Sequence, residues 1–173
     1  VRPSMRSLQF CGAAVLDNHA RLFNCSFSLA DRVEFFREYF FLLLAGTGCG
    51  FSVQRHHVDR LPALPVRGEE MDLAVRHHDV GDTIEGWADA LYALLRSHLE
   101  GHKVEFNYAQ IRPRGAPLVT AGGKAPGHLP LKNALNRVDA ILSAASGRKL
   151  RPIEVYDICM FVARAVLSGG IRR

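Results

Sequence analysis

Leu22-Phe23-Asn24-Cys25-Ser26-Phe27 is a short apolar run with one thiol near its centre, and Ala45-Gly46-Thr47-Gly48-Cys49-Gly50-Phe51-Ser52 follows it further along the chain. The first segment predicts an extended strand, in which alternate side chains point to opposite faces, so Asn24 and Ser26 lie on the face away from Cys25. The second predicts a glycine-rich bend where the backbone can come close to a ligand. Together they indicate a substrate cleft beside Cys25, although a cysteine in an apolar strand is also typical of a buried core.

The composition is that of one globular domain. The 173 residues are 48% hydrophobic and 23% charged, which allows a buried core. The net charge of +5 favours anionic partners such as nucleotides, but the basic residues are dispersed along the sequence, which argues against a nucleic-acid partner. The longest strongly apolar run, residues 39–46, is far shorter than the roughly 20 residues that span a bilayer, so no membrane partner is predicted.

The chain contains four cysteines, Cys11, Cys25, Cys49 and Cys159. None forms a C-x-x-C pair or has metal-ligand spacing from a histidine, and in a regular element the adjacent pairs His56-His57 and His77-His78 point their side chains apart. The sequence therefore predicts no metal site. Reduced thiols are typical of a cytoplasmic protein, which is the location that we expect.

The first helix of the core is predicted shortly after Cys25. Before Cys25, a short strand is expected at residues 7–10. After it, Asp31 and Glu34 have the spacing of a helix N-cap followed by a carboxylate at the third helical position. The helix at residues 33–44 is apolar on nearly every side, which indicates burial, and Gly46 ends it.

The middle of the chain alternates between weak and strong patterns. A strand is expected at residues 50–54, and residues 55–81 predict a loop-rich connector with room for a short strand or helix. Asp82, with Glu85 three residues later, again has the spacing of a cap. Apolar residues at helical spacing then predict a helix that ends at Gly101.

The last third of the chain predicts one strand and two helices. Alternating apolar residues indicate a strand at residues 103–111. A helix begins near Leu131 and ends by Gly147, and Pro152 opens the final helix at its first position. Cys159 lies in the apolar stripe of that final helix, so we expect it in the core.

Two phosphate-binding motifs are excluded by order and spacing. A dinucleotide fingerprint places its glycines between a strand and a following helix, whereas Gly46-x-Gly48-x-Gly50 lies between a helix and a following strand. The loop at residues 120–127 lacks the G-x-x-x-x-G-K-[ST] spacing, and Ala125 stands where a hydroxyl would hold magnesium. It is therefore interpreted as a flexible, ligand-facing loop.

Seven short motifs occur in this chain in the order known from one enzyme family. They are Pro3-Ser4-x-Arg6, Asn24-Cys25-x-Phe27, Gly46-x-Gly48-x-Gly50-Phe51-Ser52, Ile111-Arg112-Pro113-x-Gly115, Gly122-Gly123-x-Ala125-x-Gly127-x-x-Pro130-Leu131, Asp157-Ile158-Cys159 and Gly170-Ile171-Arg172-Arg173. In this order the chain resembles the catalytic subunit of ribonucleotide reductases, specifically the monomeric, adenosylcobalamin-dependent (class II) ribonucleoside-triphosphate reductases.

The resemblance implies a fold and a chemistry. The implied fold is an α/β barrel of ten strands in two antiparallel halves, of which residues 1–173 would be a single incomplete segment from the first half. The implied reaction is reduction of the ribonucleotide 2′-hydroxyl by a thiyl radical that adenosylcobalamin generates. The implied partners are a ribonucleoside triphosphate, a deoxynucleotide effector, a thioredoxin-like reductant and the remaining part of the reductase chain.

The resemblance also implies roles for individual residues. Cys25 matches the first member of the redox-active cysteine pair, and the substrate-binding positions are Ser4, Asn24 and Gly48. The effector and specificity-loop positions are Gly170, Arg172, Arg173 and Asp31, although a capping role would explain Asp31 equally well. The radical cysteine, the second redox cysteine and most cobalamin contacts belong to strands that this chain lacks, so the segment alone is expected to be inactive.

Other functions remain open at this stage. The chain starts without a methionine and stops directly after a glycine turn, which suggests an internal piece or one half of a split reductase. A non-catalytic nucleotide-binding fragment is the main alternative. A peroxidase that uses Cys25 alone is a weaker one, because Cys25 lacks a setting that would lower its pKa, such as a helix N-terminus.

Overall fold

The computed structural model of the protein describes residues 4–67, 73–118 and 123–168, with only the backbone of Arg6. The helices in this part of the chain are α1 (Met5–Phe10), α2 (Ala13–Asp17), α3 (Glu34–Ala45), α4 (Arg55–Val58), α5 (Ile84–Glu100), α6 (Leu129–Ala144) and α7 (Pro152–Leu167), with a 3-10 helix at His19–Leu22. The strands are β1 (Cys25–Leu29), β2 (Gly48–Ser52), β3 (Val75–Asp79) and β4 (Lys103–Asn107).

The four strands form two separate pairs. β1 and β2 are parallel, with Cys25 opposite Gly48 and Leu29 opposite Ser52. β3 and β4 are also parallel. Parallel neighbours need a crossover connection, which α3 supplies for the first pair and α5 for the second. The mixed α/β class is thus confirmed, but the described residues contain only these two small sheets and no ten-stranded barrel.

The core lies between α3, α5, α6 and α7. α3 packs on α5 and on α7, and α6 packs on α7. Helix α3 buries aromatic residues on several sides, including Phe35, Phe36 and Phe40, as its continuous apolar sequence predicts. Cys159 is fully buried on α7, and burial raises the pKa of its thiol. The predicted core role of Cys159 is therefore confirmed.

The ends of three long helices agree with the sequence. Gly46 takes a left-handed conformation at the end of α3, with φ of 100°, and Gly101 does the same after α5. Pro152 occupies the first turn of α7. There Glu154 accepts hydrogen bonds from the Arg151 backbone and from the side chains of Arg148 and Arg151. These positions leave few unpaired backbone groups at the helix ends.

Two predictions about the N-terminal third are wrong. Residues 7–10 belong to helix α1 rather than to a strand, because the Ser4 hydroxyl accepts a hydrogen bond from the Ser7 amide and caps the first turn. Asp31 does not cap α3, whose N-cap position is Val33. The Asp31 carboxylate instead accepts hydrogen bonds from Arg32 and Arg60.

Other predictions need smaller corrections. β2 begins at Gly48 rather than residue 50, and Thr83 rather than Asp82 caps α5 through its hydroxyl. The connector at 55–81 contains both a short helix, α4, and a strand, β3, and the strand expected at 103–111 ends at Asn107. The rings of His56 and His57 do not point apart, since their centroids are 4.0 Å apart.

Within residues 4–67, 73–118 and 123–168, no helix has the length and apolar character needed to cross a membrane.

Candidate functional site

Cys25 is the first residue of β1 and lies on the surface of the protein. Its side chain is exposed. The neighbouring strand places Gly48 directly opposite, and the Gly48 amide donates a 2.9 Å hydrogen bond to the carbonyl of Asn24. Three of the predicted site residues, Asn24, Cys25 and Gly48, are thus brought together at the amino end of the β1–β2 pair.

The two faces of the β1–β2 pair have different surroundings. On one face, the Ser26 hydroxyl donates to the Cys49 sulfur at 3.3 Å, and the Phe51 ring packs against the rings of Phe35 and Tyr39. Because side chains alternate along a strand, Cys25 and Phe27 project from the opposite face. Phe27 is 67% exposed, so this second face of the pair is open in the described part of the chain.

The glycines opposite Cys25 leave backbone uncovered on the open face. A Cβ atom at Gly48 would lie 3.5 Å from the Asn24 carbonyl oxygen, and one at Gly50 would lie 3.4 Å from the Phe27 ring. Both are ordinary contacts, and neither glycine has a positive φ. The described residues therefore do not require glycine at these positions. The segment is a strand rather than a bend, but its backbone remains accessible to a ligand.

The structure gives the remaining predicted site residues other contacts or does not describe them. Ser4 caps α1 and its hydroxyl is 2.8 Å from that of Ser7. Asp31 lies beyond the carboxyl end of β1, at the opposite end of the strand from Cys25, in ion pairs with Arg32 and Arg60. Gly170, Arg172 and Arg173 lie outside the described residues.

A cavity of about 450 Å³ opens between the 3-10 helix, the N-terminus of α5 and residues 111–118 and 125–127. Its apolar walls include Leu44, Trp87 and Ile111. Its polar lining includes Arg21, as well as the ion pair between Arg112 and Asp82. This size and mixture of surfaces are typical of small-molecule sites.

Arg21 is the unusual residue of this cavity. It is only 9% exposed, and its Nε atom is buried without a hydrogen-bond partner among the described residues. Its guanidinium carbon lies 5.8 Å from the centre of the Phe10 ring. The Arg21 guanidinium lines the cavity, and a guanidinium suits a phosphate or another anion. Asp17 and Glu85 in the same lining can accept hydrogen bonds from hydroxyl or amino groups.

Sequence reasoning did not find Arg21 or this cavity. Arg21 lies in a polar segment with no motif, and its burial depends on packing between elements that are distant in sequence. Arg112 was found as part of the Ile111-Arg112-Pro113 motif, without its ion pair to Asp82.

The described residues offer no cluster of protein metal ligands. They contain no group of three or more His, Cys, Asp or Glu side chains that could hold a metal ion. Their cavities include ones of about 450, 600 and 610 Å³, volumes that are typical of drug-sized ligands.

The chain is similar in sequence to enzymes of one kind. It is 29% identical over 163 residues to an adenosylcobalamin-dependent ribonucleoside-triphosphate reductase of Lactobacillus leichmannii, covering 76% of this chain and 22% of that enzyme. It is 26% identical over 190 residues to a probable adenosylcobalamin-dependent ribonucleoside-triphosphate reductase of Dictyostelium discoideum, covering 99% of this chain. The chain is homologous to these reductases. The resemblance inferred from the seven motifs is thereby confirmed.

The fold of the chain is also found in a solved structure. A crystal structure of a B12-dependent (class II) ribonucleotide reductase matches 86% of this chain with a TM-score of 0.77 and 24% sequence identity. The chain corresponds to 28% of that structure and spans 22% to 25% of the length of the two reductases compared above. No family model matches the chain.

Proposed function

We propose that this chain is part of a ribonucleotide reductase that converts ribonucleotides to 2′-deoxyribonucleotides, with Cys25 as one member of a redox-active cysteine pair. The observation that carries the proposal is the exposed Cys25 thiol at the edge of β1, next to the uncovered backbone of Gly48. In this interpretation, residues 1–173 form one incomplete segment of the catalytic barrel in a cytoplasmic enzyme, and Asn24 and Gly48 contact substrate beside the thiol.

The proposed chemistry requires two thiols. The C2′–O bond of the ribonucleotide breaks and a C2′–H bond forms, while two thiols close to a disulfide. The thiols supply two electrons and two protons, and the oxygen leaves as water. A thioredoxin-like dithiol then reopens the disulfide by exchange. Cys25 would supply one thiol, and the second would come from the remaining part of the reductase chain.

The radical step depends on groups outside the described residues. Adenosylcobalamin, when bound, would supply the radical chemistry, and most of its contacts would come from the remaining part of the reductase. The role of this chain is to hold the Cys25 thiol beside the substrate. The substrate class is a ribonucleoside triphosphate, in line with the names of the relatives.

The proposal is tested by replacing the sulfur. In the complete reductase, Cys25→Ser should abolish multiple turnover with a dithiol reductant and leave nucleotide binding unchanged. Cys11→Ser is the matched control, because Cys11 is also exposed but lies after α1, outside the site. Turnover of the Cys25→Ser enzyme at the unaltered rate would refute the assignment, whereas a loss in both variants would show only a general need for thiols.

The cavity that contains Arg21 favours a second candidate function, nucleotide binding away from Cys25. Apolar walls suit a base, the Arg21 guanidinium in the lining suits a phosphate, and Val166 of the lining is four residues before Gly170. In a reductase this would be the deoxynucleotide effector site. Gly170, Arg172 and Arg173 remain further effector residues that the resemblance implies, whereas Asp31 does not line this cavity. In a non-catalytic fragment or a split reductase it would be the main site of the chain.

Calorimetric titration of residues 1–173 with a deoxynucleoside triphosphate tests this candidate. Arg21→Met, which keeps an unbranched apolar side chain but removes the guanidinium, should weaken binding about tenfold or more, since a charge-assisted hydrogen bond is lost. The exposed Arg55 provides the control variant Arg55→Met, which should bind as the unaltered chain does. Equal affinity of all three proteins would exclude this cavity as the nucleotide site.

A further inference from the structure

The segment directly before Cys25 is exposed, but a buried side chain forms hydrogen bonds to its backbone. Leu22 is 41% exposed and Phe23 is 61% exposed, so neither side chain anchors the segment in the core. The anchor is Thr47, which is fully buried. Its hydroxyl donates a 3.1 Å hydrogen bond to the Phe23 carbonyl and lies 3.5 Å from the Ala20 carbonyl. One side chain thus joins the start of β2 to the turn that leads into Cys25.

Thr47 is itself fixed to the main body of the protein. Its amide donates a 2.9 Å hydrogen bond to the carbonyl of Leu42 in the last turn of α3. The next residue, Gly48, donates to the Asn24 carbonyl, also at 2.9 Å. Thr47 and Gly48 therefore donate hydrogen bonds to consecutive carbonyls, those of Phe23 and Asn24. Through Thr47, these two residues before Cys25 are connected to the end of α3.

We propose that Thr47 is a positioning residue for Cys25. Its hydroxyl fixes the backbone of residues 20–24 and thereby the direction in which the Cys25 thiol leaves the strand. This role rests on the proposed function, since it concerns the delivery of the thiol to the substrate. Without the hydroxyl, the Phe23 carbonyl would lose this hydrogen bond, and the exposed side chains of Leu22 and Phe23 add little buried surface in its place, so this part of the chain should open locally at lower cost.

Amide hydrogen exchange in residues 1–173 tests whether the Thr47 hydroxyl fixes the backbone of residues 20–24. Thr47→Val keeps the shape of the side chain but removes the donor, so exchange in residues 20–25 should accelerate about fivefold to tenfold, the factor expected for one net hydrogen bond. Exchange in α6 and α7 should not change, and Thr47→Ser should restore protection. Thr47→Ala serves the same purpose if the valine variant does not fold. Unchanged exchange in residues 20–25 would overturn the proposal that Thr47 fixes this part of the backbone.

Kinetics of the complete reductase separate positioning from a purely structural role. Thr47→Val should lower kcat about tenfold with substrate KM within about twofold, because the substrate still binds but the thiol is misplaced by a local shift. Thr47→Ser should recover most of kcat. Faster exchange with an unchanged kcat would show that Thr47 is structural only. If instead Cys25→Ser turns over normally, the proposed function fails while the exchange result for Thr47 still holds.

Discussion

Gly48→Ala should distinguish the effect of this position on the stability of the fold from its effect on substrate binding. A methyl group at this position would lie 3.5 Å from the Asn24 carbonyl oxygen, an ordinary contact, and φ at Gly48 is not in the left-handed region. Glycine in a strand loses more conformational freedom on folding than alanine, which costs roughly 0.5–1 kcal/mol. We therefore expect the free energy of unfolding of the alanine variant to stay the same or to rise by up to about 1 kcal/mol.

The same methyl group should interfere with substrate. It projects from the open face of β2, directly opposite Cys25, where the substrate would contact the backbone. Overpacking a close-fitting site costs about 1–3 kcal/mol, so the KM for the ribonucleotide should rise about tenfold or more in the complete reductase. Stability would be measured by urea unfolding of residues 1–173, and KM by steady-state kinetics.

Gly81→Ala is the matched control for this experiment. A Cβ atom at Gly81 would meet Thr83 Oγ1 at 3.8 Å, and φ is again not positive, but Gly81 lies next to β3 rather than beside Cys25. It should change neither KM nor stability by much. The reasoning is refuted if Gly48→Ala lowers the free energy of unfolding by about 2 kcal/mol, a typical cost of a strained site, or leaves KM unchanged.

Two further predictions concern stability. Gly86→Ala should destabilise the protein by about 1–3 kcal/mol despite the better helix propensity of alanine, because the new Cβ atom would lie 2.5 Å from the Gly81 carbonyl oxygen. Urea unfolding of this variant and of Gly81→Ala measures the difference, and an increase in the stability of Gly86→Ala would contradict the prediction. Hydrogen bonds from Arg148 and Arg151 lower the pKa of Glu154 to about 2, so its contribution to stability is complete above its ordinary pKa of 4.5 and is lost as pH falls toward 2. Glu154→Gln should therefore weaken the dependence of the urea midpoint on pH between pH 5 and about 2, and an identical pH profile in both proteins would exclude this role.

The long helices were predictable because their information is local. α3, α5, α6 and α7 each carry apolar residues at helical spacing with clear end signals, such as Gly46, Gly101 and Pro152. A strand of Gly48-Cys49-Gly50 was not predictable in the same way, since glycine is a poor strand former and the pairing with β1 decides its conformation.

The site was only partly predictable for a similar reason. The motif around Cys25 marked the thiol and its neighbour Asn24, and the glycine motif marked Gly48. Thr47 and Arg21 carry no signal in the sequence, because each acts through contacts between elements that only the folded chain brings together. Asp31 had a convincing capping pattern, but its two arginine partners, Arg32 and Arg60, keep its carboxylate away from the helix end.

The most direct measurement concerns the oxidation state of Cys25 after one reaction. The complete reductase is first reduced, freed of external dithiol and supplied with adenosylcobalamin and a ribonucleoside triphosphate, and its disulfides are then mapped by mass spectrometry. We predict about one disulfide that contains Cys25 for each deoxynucleotide formed, with Cys11 still a free thiol. Deoxynucleotide formation with Cys25 fully reduced would contradict the account.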